Sequence, residues 1–199
     1  SALSCFLGDL LDKLKIQQAV FAASSAGGLP VLDFAIRCPE RVAALVLAST
    51  CGVPHDLPVL WRLVRWPMLG ELMELFLNED MVRSNLREAF CDKDAVTDEM
   101  VSAYLEPLLR KGAWKANVKF ERSWNPSFVE AQIHCIRCPT LVIWGKIDPW
   151  HPVSMAREFG RRIQGSWIEI LPDCGHLSNE ECPEKFNRLL HTFLSRHLH

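Results

Sequence analysis

The sequence predicts an α/β fold: a parallel sheet flanked by helices, with an inserted helical cap. Three observations predict it. Strand-like apolar segments alternate with helical ones at both ends of the 199-residue chain, the order that builds a parallel sheet through right-handed crossovers. The segment 42–50 is apolar almost throughout, as expected where both faces of a parallel sheet are covered. Between Pro54 and Ile133 strand character disappears, and amphipathic pieces rich in Leu, Trp and Met follow one another.

Each element has its own signal. Residues 4–15 place Leu7, Leu10, Leu11 and Leu14 at helical spacing. The apolar run 19–24, "AVFAAS", reads as the first strand. After Gly27 and Gly28, "LPVLDFAIRCPERV" suits a helix that stops near Cys38, because a proline follows that residue. "VAALVLAST" at 42–50 is the second strand. The helical block then runs through "VLWRLVRW", "LGELMELFL" and "EDMVRSNLREAF". It continues into a helix with Thr97 as N-cap, Pro107 shortening or bending it, and Gly112 as its stop. Its Trp and Met residues read mostly as core, some lining a ligand cavity. Strands return at 139–145, "PTLVIWG", and at 166–172, "SWIEILP", with a helix over 152–163 between them. A final helix carries Pro183 in its first turn, where proline is tolerated. Residues 1–53 and 134–199 thus form the α/β core, and 54–133 form a cap or lid.

Composition excludes several classes of function. A formal net charge of −2 argues against a nucleic-acid surface, which normally carries a basic excess. No apolar run reaches the roughly eighteen residues of a membrane span. The opening "SALSCFLGDLLDKL" lacks a basic start and reads as an amphipathic helix, not as a secretion signal. The eight cysteines are irregularly spaced, and Cys38, Cys51 and Cys138 sit in apolar segments; reduced thiols in a cytoplasmic protein are expected. Cys135 and Cys138 form a C-x-x-C that Cys174 and His176 could extend to a zinc site, but the pair runs straight into a strand. No metal and no cofactor is expected.

In a doubly wound sheet, reactive groups gather at the carboxyl ends of strands. Ser25 follows the first strand, Asp148 in "WGKIDPW" the third, and His176 in "PDCGHL" the fourth. A serine hydroxyl needs a base to take its proton, and imidazole suits that task. A carboxylate can hold the ring in the right tautomer and stabilise the imidazolium. Singly, each residue has a bland reading: Ser25 as a helix N-cap, Asp148 as a turn residue before Pro149, His176 as a loop histidine. Their placement after three strand ends favours the joint role. Centred on Ser25, the stretch Ala23-Ser24-Ser25-Ala26-Gly27 surrounds the hydroxyl with small residues, as a strained strand-to-helix bend requires. Centred on Ser24, both glycines are wasted. His55, His134, His151, His191, His197 and His199 have no comparable context.

These residues carry a resemblance. "SSAGG", "CPERVAALVLAST", "PTLVIWGKIDPW" and "LPDCGHLSNEECPEKFNRLLHTFL" occur in the order of the α/β-hydrolase fold. The chain resembles the C-terminal part of that fold, from its serine hydrolase branch with a helical cap. "YLEPLLRKGAW" is similar to that cap. The resemblance implies a serine hydrolase cleaving a small ester, lactone or activated C–C bond, with Ser25, Asp148 and His176 as triad and the N–H of Ala26 in the oxyanion hole. Ala23 departs from the family's usual glycine. The resemblance also implies that the sheet's first strands lie outside this chain, leaving strand 19–24 with a bare edge. A homo-oligomer or an N-terminal partner segment would cover that edge, and the expected ligand is an apolar, ester-like small molecule. The alternative reading is a catalytically impaired, truncated relative that binds ligands or proteins, because a second oxyanion donor would come from the missing strands.

Overall fold

A computed structural model describes residues 2–54, 56, 59–123 and 125–198. Helix α1 (Ala2–Lys13) leads into strand β1 (Ala19–Ser24), helix α2 (Gly28–Arg37) and strand β2 (Val42–Ala48). Among the described residues five α-helices follow: α3 (Val59–Val64), α4 (Leu69–Leu72), α5 (Glu79–Ala89), α6 (Asp98–Leu109) and α7 (Ala113–Ser123). The chain closes through α8 (Ser127–Gln132), β3 (Thr140–Gly145), α9 (Ser154–Arg162), β4 (Trp167–Leu171), α10 (Ser178–Glu181) and α11 (Pro183–His197). No helix among the described residues is long and apolar enough to cross a membrane.

The four strands form one parallel sheet in the order β1-β2-β3-β4. Val46 of β2 lies between Ala22 of β1 and Leu141 of β3. β1 is an edge strand, and among the described residues none pairs with its outer side.

The continuous apolar character of β2 has a direct cause. Its side chains alternate between two separate cores. Leu45 and Leu47 pack with Leu32 and Phe34 of α2 and with Phe159 of α9. Ala44, Val46 and Ala48 face the other way, against Phe186 and Phe193 of α11. β3 repeats the pattern, with Val142 and Trp144 on the first face and Leu141 and Ile143 on the second. Each such buried Leu, Ile or Val contributes about 1.5–3 kcal/mol relative to leaving it in water.

Element boundaries shift where the backbone turns left-handed. The strand expected over 42–50 ends at Ala48, because Ser49 takes φ 41°. The first helix ends at Lys13 and not at residue 15, since Lys15 adopts φ 57°. Such values cost a non-glycine residue energy and stop a regular element.

The chain separates into two compact units, Ser1–His55 with Pro126–His199, and Asp56–Asn125. α8 belongs with the sheet: Val129 and the following Ile133 are buried in its first core. In the second unit, α5 and α6 are capped by Asn78 and Thr97, whose side chains accept from the backbone N–H of Met81 (2.9 Å) and Met100 (3.3 Å). Caps of this kind contribute about 1 kcal/mol each. Pro107 falls in the last turns of α6, which ends at Leu109; Gly112, at φ 80°, then starts the turn into α7. Trp114, Val64 and Val118 form that unit's small core, and the Trp114 indole N–H donates to the Gly70 carbonyl at 2.7 Å. Trp66 is 66% exposed, so not every tryptophan of this block is core.

One expectation about the cysteines is corrected. Cys174 and Cys182 form a disulfide, whereas Cys5, Cys38, Cys51, Cys91, Cys135 and Cys138 are in none. The short helix α10 turns the chain back on itself, bringing the two Cα atoms within 6.5 Å, inside the range a disulfide spans. The bridge closes a loop of sequence separation 8. Reducing it, or replacing Cys182 by serine, is expected to lower stability by about 2–3 kcal/mol. Comparison of urea midpoints with and without a dithiol reductant measures this.

Candidate active site

The site grows from the carboxyl ends of β1, β3 and β4. β1 ends at Ser24, and Ser25 takes φ 51° as the first residue of a single 3-10 turn, Ser25–Gly27, that enters α2. Threonine and cysteine from the end of β2 hold this strained residue. The Thr50 hydroxyl donates to the Ser25 carbonyl at 2.8 Å, and the Cys51 N–H donates to the same oxygen at 3.1 Å. Gly28 permits the approach, since a Cβ there would collide with the Thr50 side chain. Ala26 follows Ser25 on the turn and is partly buried. Ser24 behaves differently: its Oγ is buried and has no hydrogen-bond partner.

After β3, the segment 146–151 curls around the carboxylate of Asp148. Asp148 Oδ1 accepts the backbone N–H groups of Trp150 and His151, both at 2.9 Å. Asp148 Oδ2 accepts from His176 Nδ1, also at 2.9 Å. Burial would raise the Asp148 carboxyl, but the hydrogen bond and charge of His176, with the backbone N–H and charge of His151, overcome this and hold it below the usual carboxylate range.

After β4, the loop carrying His176 sits against the end of β3. Gly145 makes room for it, because a Cβ at that position would meet the carbonyl oxygens of Cys174 and Gly175. Lys146 and Ile147 donate their N–H groups to the carbonyls of Leu171 (2.8 Å) and Cys174 (3.0 Å), which ties the two loops together. The Gly175 N–H donates to the Glu181 carboxylate at 2.5 Å. Gly145→Ala is expected to destabilise the protein by about 3 kcal/mol through overpacking between these backbones; its melting curve checks this.

His176 Nε2 lies 2.8 Å from Ser25 Oγ. The three side chains named from the sequence therefore form one hydrogen-bonded chain, Ser25–His176–Asp148, with the imidazole and carboxylate buried. With Nδ1–H donated to the carboxylate, Nε2 is left as the acceptor for the serine O–H.

The remaining sequence candidates fall elsewhere. Cys135 is exposed, and burial pushes the thiol of Cys138 up; Cys174 is committed to its disulfide. Asp148, His151 and His176 each bring one potential ligand atom within 4.8 Å of the others. Hydrogen bonds to Ser25, to Ser49 and to one another already occupy these donors. His55 and His199 lie outside the described residues.

Sequence reasoning missed His151. It is buried, and its ring meets that of His176 edge-on at 4.8 Å between centroids. Trp150 covers another side of His176, also at 4.8 Å. The available signal was spacing: His151 follows Asp148 by three residues, within reach of the same carboxylate in a tight turn.

Comparison with known proteins gives the setting. The sequence profile described as "Alpha/beta hydrolase family" matches residues 1–189. The chain is 29% identical over 198 residues to the 2-hydroxy-6-oxononadienedioate/2-hydroxy-6-oxononatrienedioate hydrolase of Paraburkholderia xenovorans (strain LB400), covering 95% of this chain and 66% of that protein. It thus spans about two thirds of that curated relative's length. Its fold is similar to that of the meta-cleavage product hydrolase CumD from Pseudomonas fluorescens IP01, with TM-score 0.76, 23% identity, and coverage of 94% and 68% of the two chains. It is also similar to a thermophilic esterase from Thermogutta terrifontis, with TM-score 0.78, 22% identity, and coverage of 96% and 70%.

Proposed function

Because the chain belongs to the alpha/beta hydrolase family, we propose that it is a serine hydrolase acting through Ser25, His176 and Asp148 on a small ester, lactone or activated C–C bond. The observation that carries this reading is the continuous hydrogen-bonded chain from hydroxyl to carboxylate, at 2.8 and 2.9 Å.

The chemistry follows from the geometry. Ser25 Oγ bonds to the substrate's carbonyl carbon while His176 Nε2 takes the hydroxyl proton. Asp148 stabilises the imidazolium that forms. The N–H of Ala26, next to the nucleophile, donates to the oxyanion, an interaction that grows as charge develops there. His176 then returns the proton to the leaving group: an alkoxide for an ester, or a carbon stabilised as an enolate for a C–C bond. Water repeats the sequence to release the acid and restore Ser25.

The name of the Paraburkholderia relative supports the C–C branch, and that of the Thermogutta neighbour supports the ester branch. A panel of p-nitrophenyl esters of increasing acyl length, run beside vinylogous 1,5-diketone acids, tests the reading and separates the branches. Turnover of either class is expected. A folded protein that hydrolyses neither contradicts it.

A further inference from the structure

The structure assigns His151 as a positioning residue: a second buried histidine that clasps the acid loop to the end of β2 and holds the His176 ring in line with Ser25. The inference rests on the Ser25–His176–Asp148 reading of the site and extends it to a residue outside the triad.

His151 is fixed at every point where it could move. Its Nδ1 lies 2.6 Å from the Ser49 carbonyl oxygen. A carbonyl only accepts, so Nδ1 carries a proton; when the ring is neutral, Nε2 is the acceptor. The atom facing Nε2 is Cys51 Sγ, at 3.4 Å, whose S–H can donate. The backbone is held as firmly: its N–H donates to Asp148 Oδ1, and its carbonyl accepts the indole N–H of Trp144 at 2.9 Å. The ring that results stands edge-on to His176.

These contacts close a circuit. Ser25 is tied through its carbonyl to Thr50 and Cys51. Ser49 and Cys51 of the same segment hold the His151 ring. His151 shares Asp148 with His176, and His176 returns to Ser25 Oγ. The nucleophile elbow and the acid loop come from different strands, and His151 is the side chain that locks one to the other. Without it, Asp148 would still orient His176 at Nδ1, but the ring could tilt about that bond and lengthen the distance from Nε2 to Oγ. Small misplacements of this kind cost far more in rate than in stability.

His151→Phe keeps the bulk and removes both nitrogens; His151→Asn keeps an N–H that can reach the Ser49 carbonyl. Each variant is assayed for kcat per active site, titrated with a fluorophosphonate, and for the downfield proton resonance of His176 Nδ1–H. The expected result for His151→Phe is a kcat lowered about 10- to 100-fold with KM within about twofold, and a broadened resonance. His151→Asn should recover most of both. Should His151→Phe fail to fold, Cys51→Ala takes its place, with a smaller loss of about threefold from one hydrogen bond.

Unchanged kcat and an unchanged resonance in the substituted protein overturn the proposal, as does His151→Asn being no better than His151→Phe. A wild type without turnover or labelling contradicts the hydrolase reading instead; the resonance still decides the positioning role. A wild type that lacks the resonance overturns the positioning role as well.

Discussion

Ser25→Ala is expected to lower kcat by roughly 10⁶-fold, because nucleophile, base and carboxylate act as a unit and removing the attacking atom stops acyl transfer. Ser24→Ala is expected to leave kcat within about threefold. The contrast follows from the last step of β1. Ser25 takes φ 51° and turns its hydroxyl toward His176, while Ser24 keeps an extended conformation and buries its Oγ without a partner. Losing an unsatisfied buried hydroxyl is close to neutral for stability, since its desolvation cost disappears with it. Steady-state kinetics of the two variants on the best substrate of the ester and C–C panel checks both statements. Equal losses in the two variants would mean that the hydroxyl pair acts through something other than the hydrogen bond to His176.

Asp148→Asn is expected to cost about 10⁴-fold in kcat with little change in KM. An amide is close in shape, so the loops around it persist. Its oxygen can accept only part of what the carboxylate accepts from Trp150, His151 and His176. An amide N–H directed at His176 Nδ1 would favour the tautomer with its proton on Nε2, the nitrogen that must receive the serine proton. The same substitution has a signature in acid stability. Burial alone would raise the carboxyl, but His176 and the backbone N–H of His151 bring it below its unfolded value. A carboxyl lowered on folding stabilises the protein above its unfolded pKa, and that stabilisation is lost as pH falls through the lower folded pKa. Urea unfolding from pH 7 down to 2 should show a steeper loss below about pH 4 in the wild type than in Asp148→Asn. Parallel pH dependences would show that the carboxylate gains nothing from its partners.

The sheet was legible because two cores on opposite faces leave β2 no polar position, and its short run of Val, Leu and Ala is then a direct imprint of burial. The meeting of Ser25, Asp148 and His176 was legible for a topological reason: parallel strands deliver their carboxyl ends to one edge of the sheet, so residues distant in sequence converge there. What escaped depends on local turns that leave weak traces. The disulfide exists because α10 folds the chain back from Cys174 to Cys182; spacing alone did not separate that pair from the six cysteines outside it. His151 escaped because its partners, Ser49 and Cys51, lie about one hundred residues earlier and reach it only through the left-handed step at Ser49 that ends β2 early.

Whether Ser25 is an activated nucleophile is read by a fluorophosphonate probe followed by peptide mapping. One phosphonyl group per chain is expected, on Ser25, with labelling abolished in Ser25→Ala and slowed strongly in His176→Ala. A folded protein that stays unlabelled, or one labelled on Ser24 or Ser49, would contradict it.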